Sequence, residues 1–109
     1  MPGVVNIPWY VTVFRGDQFE VALHEIAPVC LRYGASEYQV LRSTEDRYRF
    51  WQFSTWDDKD DFEAYWYGPE FVEWRADYTS WYQVPLIYNW FDRVLAGELA
   101  REPAAGNGT

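Results

Sequence analysis

The chain has 109 residues, a formal net charge of −8 and an aromatic share of 21%. That length supports one domain with a single core, and the acidic balance works against sequence-independent binding to nucleic acid, which needs cations against phosphate. It also disfavours anionic membrane surfaces and favours solubility. Seven Trp, nine Tyr and seven Phe must line a core, a subunit interface or a ligand cavity. Cys30 is the only cysteine, so no intramolecular disulfide can form, which agrees with a cytoplasmic location. The opening MPGVVNIPWY lacks the basic and apolar regions of a signal peptide. No apolar stretch approaches the ~18 residues of a membrane span.

Met1 to Ile7 reads as a short lead. Trp9 to Arg15 is rich in β-branched and aromatic residues, and both of its alternating sets are apolar, as in a strand buried on two sides. Gly16-Asp17 ends it, with Asp17 placed to cap a helix. Phe19, Ala22, Leu23, Ile26, Ala27 and Cys30 then mark one helical face over residues 18–33, and Pro28 should kink or break that helix. Gly34 suits its stop.

Residues 37–43 and 48–56 read as two strands joined by a tight turn near Thr44-Glu45-Asp46. Tyr48, Phe50, Gln52, Ser54 and Trp56 fall on one face of the second strand, with Trp51 and Phe53 on the other. Asp57 or Asp58 can cap the next helix, and Asp60 and Asp61 suit its positive end. Phe62, Tyr65 and Trp66 share a face of it. Gly68-Pro69 interrupts the run, since Pro69 is poor inside a helix and good at the first position of a new one. Phe71, Trp74, Tyr78 and Trp81 continue at spacings of three and four. Gln83 to Phe91 reads as the last strand, with Pro85 indicating an edge or a bulge. Residues 1–95 form the domain, and 96–109 form an Ala-, Gly- and Pro-containing flexible tail.

The order β-α-β-β-α-β is that of an α+β, ferredoxin-like fold with a four-stranded antiparallel sheet. Helices in that arrangement cover one face only. Three of the strands carry large apolar residues on both faces, so the open face calls for a partner. Face-to-face packing of two sheets in a homodimer would bury it.

At this point a family resemblance enters, on residues spread from about 8 to 92. Pro28 ends the first helix. Tyr38 lies in a strand that closes on Arg42-Ser43, followed by an Asp46-Arg47 turn. Trp56-Asp57 ends the third strand, and Phe62-Glu63-Ala64 begins a helix broken at Gly68-Pro69-Glu70-Phe71. In these features the chain resembles the antibiotic-biosynthesis-monooxygenase group of the dimeric α+β barrel superfamily. The resemblance implies a dimeric α+β barrel and cofactor-independent monooxygenation of, or binding to, a small aromatic compound of quinol or polycyclic type, in which the deprotonated substrate itself supplies electrons to O2. Where that family often carries histidines, this chain has Tyr65 and Glu70. Its only histidine, His24, lies on the first helix, so haem ligation from the broken helix, as in the haem-degrading branch, is not supported.

Polar residues set among rings mark the expected pocket. Tyr38, Gln52 and Trp74 are its substrate-binding candidates, because a few polar groups in an apolar cleft orient a flat ligand. Trp66, Tyr65 and Asn89 are the catalytic candidates, as donors to a developing oxyanion. The alternative is that these rings fill a core and an interface, leaving a non-catalytic dimeric module that binds a hydrophobic ligand or steadies a partner. No cofactor and no metal is called for. His24 without His or Cys neighbours is a boundary residue. The acidic run at 57–61 is helix-start charge, and Cys30 is a small buried apolar residue. No phosphate-cradling glycine pattern occurs.

Overall fold

The computed structural model describes residues 2–100. The strands are β1 (Gly3–Tyr10), β2 (Ala35–Arg42), β3 (Arg49–Trp56) and β4 (Asn89–Asp92). The helices are α1 (Gly16–Ile26), α2 (Cys30–Tyr33), α3 (Lys59–Trp66) and α4 (Pro69–Asp77), with a 3₁₀ turn at Thr79–Trp81. The strands form one antiparallel sheet in the order β2-β3-β1-β4. This is the expected α+β, ferredoxin-like arrangement. Among the described residues no helix is long and apolar enough to cross a membrane.

Register sorts the side chains. Val5, Ile7 and Trp9 of β1 pair with Ser54, Gln52 and Phe50 of β3, and all six are at most 2% exposed. Tyr38, Val40 and Arg42 of β2 continue this inner face beside Ser54, Gln52 and Phe50, and Trp90 of β4 joins it opposite Val5. The helices supply Phe19, Leu23, Ile26, Phe62, Tyr65, Phe71 and Trp74 from above. Burial of so many rings in tilted and edge-on contact is the main favourable term in folding.

The broken helix forms as its sequence dictates. Asp58 is the N-cap of α3, its carboxylate accepting from the Asp60 N–H at 2.9 Å. Gly68 is the N-cap of α4, and Pro69 occupies the first turn. Pro28 divides α1 from α2, and Gly34 ends α2 at φ 120°, a conformation other residues adopt only with strain.

Three boundaries differ from expectation. β1 begins at Gly3 and ends at Tyr10, where Trp9 to Arg15 was expected. Val13 and Phe14 are 62% and 88% exposed, and Phe14 sits at φ 72° in a turn. Pro8 is tolerated within β1 because β4 pairs only with Gly3 to Asn6, so beyond that point one side of β1 has no ladder to interrupt. α1 starts one residue before Asp17 and has no side-chain cap. Asp17 instead accepts from Arg42 Nη1 at 2.8 Å. β4 spans four residues, not the nine from Gln83 to Phe91. Tyr82 makes one bridge to Val11, and after it Pro85 has no N–H to extend a ladder.

Candidate functional site

Two places bring polar groups among rings. The first is a closed chain of hydrogen bonds inside the core. Trp9 Nε1 donates to Gln52 Oε1 at 3.1 Å, Gln52 Nε2 donates to the Tyr65 hydroxyl at 3.2 Å, and that hydroxyl donates to the Ile26 carbonyl at 2.8 Å. Gln52 and Tyr65 are each 1% exposed, so the bonds answer groups that would otherwise be costly to bury. Burial raises the Tyr65 phenol well above the usual tyrosine range, with the Gln52 bond acting the other way. A neighbouring pair, Trp56 Nε1 donating to Ser54 Oγ at 2.7 Å, is equally enclosed. Burial likewise pushes the Cys30 thiol up to about 12, leaving it neutral and unreactive.

The second place is an open groove of about 260 Å3 between α1 and the inner face of β2 and β3. One wall is Glu20, Leu23, His24 and Ala27, with Pro28 just beyond, at the i, i+3, i+4, i+7 spacing of a single helical face. The other wall is Tyr38, Val40 and Arg42, alternate residues of β2, with Phe50 of β3. Arg42 closes one end. Its guanidinium lies 5.0 Å from the Phe50 ring and donates to Asp17 and Glu20, at 2.8 and 3.0 Å, and to the Arg47 carbonyl at 2.8 Å. Burial opposes its charge, but the two carboxylates outweigh it and hold the group protonated. Gly16 makes room for this seat, since a Cβ there would stand 2.5 Å from Arg42 Nη2. The groove thus offers an imidazole, a phenol and a fixed cation around an apolar floor.

The residues expected to share one cavity lie in three places. Tyr38 lines the groove. Gln52, Tyr65 and Trp74 belong to the packed interior, where Trp74 Nε1 is engaged by the Ala22 carbonyl and Glu25. Trp66 is 8% exposed, packed on Phe62, Phe71 and Tyr88 with Arg75 4.2 Å above its ring. Asn89 is exposed and pairs with Asn6, which puts it on the outer face of the sheet. His24 is exposed, as a boundary residue should be, yet it lines the groove. Its partners there, Glu20 and Arg42, have a signal in the sequence: the helical and strand spacings that place all three toward one gap. Among the described residues, no three His, Cys, Asp or Glu side chains cluster to hold a metal ion.

The fold is shared with solved proteins. A provisionally described antibiotic biosynthesis monooxygenase from Nitrosomonas europaea superposes with a TM-score of 0.76 at 18% identity, covering 85% of this chain and 99% of the other. SnoaB, a cofactor-independent oxygenase from Streptomyces nogalater, gives 0.75 at 16% identity, covering 87% and 95%. A provisionally described family protein from Bordetella bronchiseptica gives 0.74 at 21%, covering 86% and 98%. No curated protein sequence matches the chain. The profile of the antibiotic biosynthesis monooxygenase family matches residues 4–77, which run from β1 to the end of α4. The chain therefore belongs to the antibiotic biosynthesis monooxygenase family.

Proposed function

We propose that this protein is a cofactor-independent monooxygenase acting on a small aromatic compound of the quinol or anthrone type, bound in the groove between α1 and β2. The observation that carries the reading is the groove itself: His24, Tyr38 and Arg42 ring a floor of Leu23, Val40 and Phe50. Imidazole is the side chain best matched to taking the substrate's acidic proton near neutral pH, the phenolic O–H of a quinol or the ring C–H of an anthrone. The Tyr38 hydroxyl and the Arg42 charge would then steady the resulting oxyanion in a partly dehydrated site. The electron-rich anion passes electrons to O2. For an anthrone, a ring CH2 becomes C=O, one oxygen atom enters the product and the other leaves as water. In this reading Tyr65 and Gln52 act from behind the wall, tethering the end of α1 at Ile26 beside Ala27 and Pro28.

A homodimer packed through the outer sheet face is part of the proposal. Val4, Pro8, Tyr10, Leu41, Trp51, Phe53 and Phe91 share that face by register. Among them Asn6 Nδ2 is buried with no hydrogen-bond partner, an unmet donor that a facing chain could satisfy.

One observation favours a second reading, a binding module without catalysis. The polar side-chain atoms of Gln52, Tyr65 and Trp74 are all engaged within the chain, so three of the residues expected to hold or activate a substrate are committed to the interior. Oxygen uptake separates the two readings. With a panel of anthrones and naphthohydroquinones, uptake should exceed the protein-free rate and place one labelled oxygen from O2 in the product. His24→Gln and Tyr38→Phe should each lower kcat/KM, by about 100-fold for His24→Gln. Binding of the panel without any oxygen uptake would establish the module instead. Unchanged turnover in both variants would remove the groove as the site.

A further inference from the structure

We infer that the groove selects aromatic substrates that carry no permanent negative charge, because Asp17 and Glu20 already occupy Arg42. The inference deepens the reading of the groove given above and rests on it.

Arg42 is the one Lys or Arg side chain that lines the groove. A guanidinium would ordinarily be the seat for a ligand carboxylate, which it meets with two parallel N–H donors. Here those donors are engaged. Nη1 donates to Asp17 at 2.8 Å and to Glu20 at 3.0 Å, and Nε donates to the Arg47 carbonyl at 2.8 Å. Nη2 lies against Gly16, where an added Cβ would stand 2.5 Å away, and the side chain as a whole is 11% exposed. Each edge of the fork therefore holds a donor in use, and the two-pronged seat is closed.

The charge is matched as well. Arg42 acts from within a cluster of one positive and two negative groups, which leaves nothing over for a further full anion. Glu20 itself lines the groove beside His24. An ionised ligand would give up water against Leu23, Val40 and Phe50 without a free cation in return, and that is costly. The oxyanion of the proposed reaction differs, because it arises with its own counter-ion. The proton that leaves it makes His24 an imidazolium. The groove thus admits a neutral molecule and lets charge appear only in pairs.

Calorimetric titration under argon tests this, with naphthohydroquinone carboxylic acid and its primary amide as probes. The two are alike in shape, and only the acid is ionised at neutral pH. The amide should bind at least about tenfold more tightly. Asp17→Asn and Glu20→Gln each remove one charge and can keep the bond to Arg42, so each should narrow the gap between acid and amide. A control carrying Glu73→Gln and Asp77→Asn, both exposed on α4, lowers the net charge away from the groove and should leave the gap as it is. Equal affinity for acid and amide in the parent would overturn the inference, while oxygen uptake with quinols would keep the oxygenase reading standing. A gap that neither groove variant narrows, or that the control narrows equally, would overturn it too. A gap that behaves as expected without any oxygen uptake would support the selectivity and remove the oxygenase reading. Binding of neither probe would remove the groove as a site, and the inference with it.

Discussion

Gln52 shows how one side chain can be legible in type and not in role. Its position between Phe50 and Ser54 on an inward-facing strand is plain from the sequence, and so is its oddity among rings. Its partners are not, because Trp9 and Tyr65 lie 43 and 13 residues away and meet it only through the β1–β3 register. With both ends of its amide engaged, Gln52 works as a bolt in the interior. Tyr65→Phe would strand Gln52 Nε2 and leave the Ile26 carbonyl with only the Val29 N–H at 3.2 Å, costing about 1–3 kcal/mol. Gln52→Leu would leave Trp9 Nε1 and the Tyr65 hydroxyl short of a partner, at a similar cost. The two losses overlap, so the double variant should be no worse than the sum and is expected to fall below it. Denaturant unfolding of the four proteins measures this. Full additivity would mean that the Gln52–Tyr65 bond contributes nothing.

At the scale of elements, punctuation residues were readable and pairing was not. Pro28, Gly34, Asp58, Gly68 and Pro69 each act through their own backbone or the next turn, so the sequence states their effect directly. β1 and β4 depend on partners far along the chain. Met1 to Ile7 looks like a lead, with a proline, a glycine and an asparagine, yet from Gly3 on it belongs to the strand on which both β3 and β4 assemble. Tertiary pairing overrides weak propensity there. Gly34 illustrates the local case. It ends α2 at φ 120°, where its N–H reaches the Cys30 and Leu31 carbonyls, and an added Cβ would stand 3.0 Å from an Asp61 oxygen. Gly34→Ala should cost roughly 1–2 kcal/mol from backbone strain alone. A melting temperature equal to that of the parent would show that the α2–β2 corner relaxes freely.

At the scale of the whole molecule, composition and fold meet over the question of charge. The candidate groove joins α1 to β2 and β3 through residues 20–50; helical and strand spacing mark each wall in the sequence, but the two walls face one another only once the sheet is assembled. The fold itself was legible because the order of elements leaves few topologies open. A chain with net charge −8 that pairs through an apolar sheet face must bring two anions of that size together. Long-range repulsion then opposes association, while the face itself carries few charges to attract. Repulsion between exposed charges is screened over about 8 Å at physiological ionic strength and about 30 Å at 0.01 M. The dimer should therefore tighten as salt rises, by several-fold between those two conditions. Sedimentation at low and physiological NaCl measures it. Weakening with salt would mean that cross-chain ion pairs, not the apolar face, hold the two copies together, because salt screens attraction and repulsion alike and its sign reports which one the contact contains.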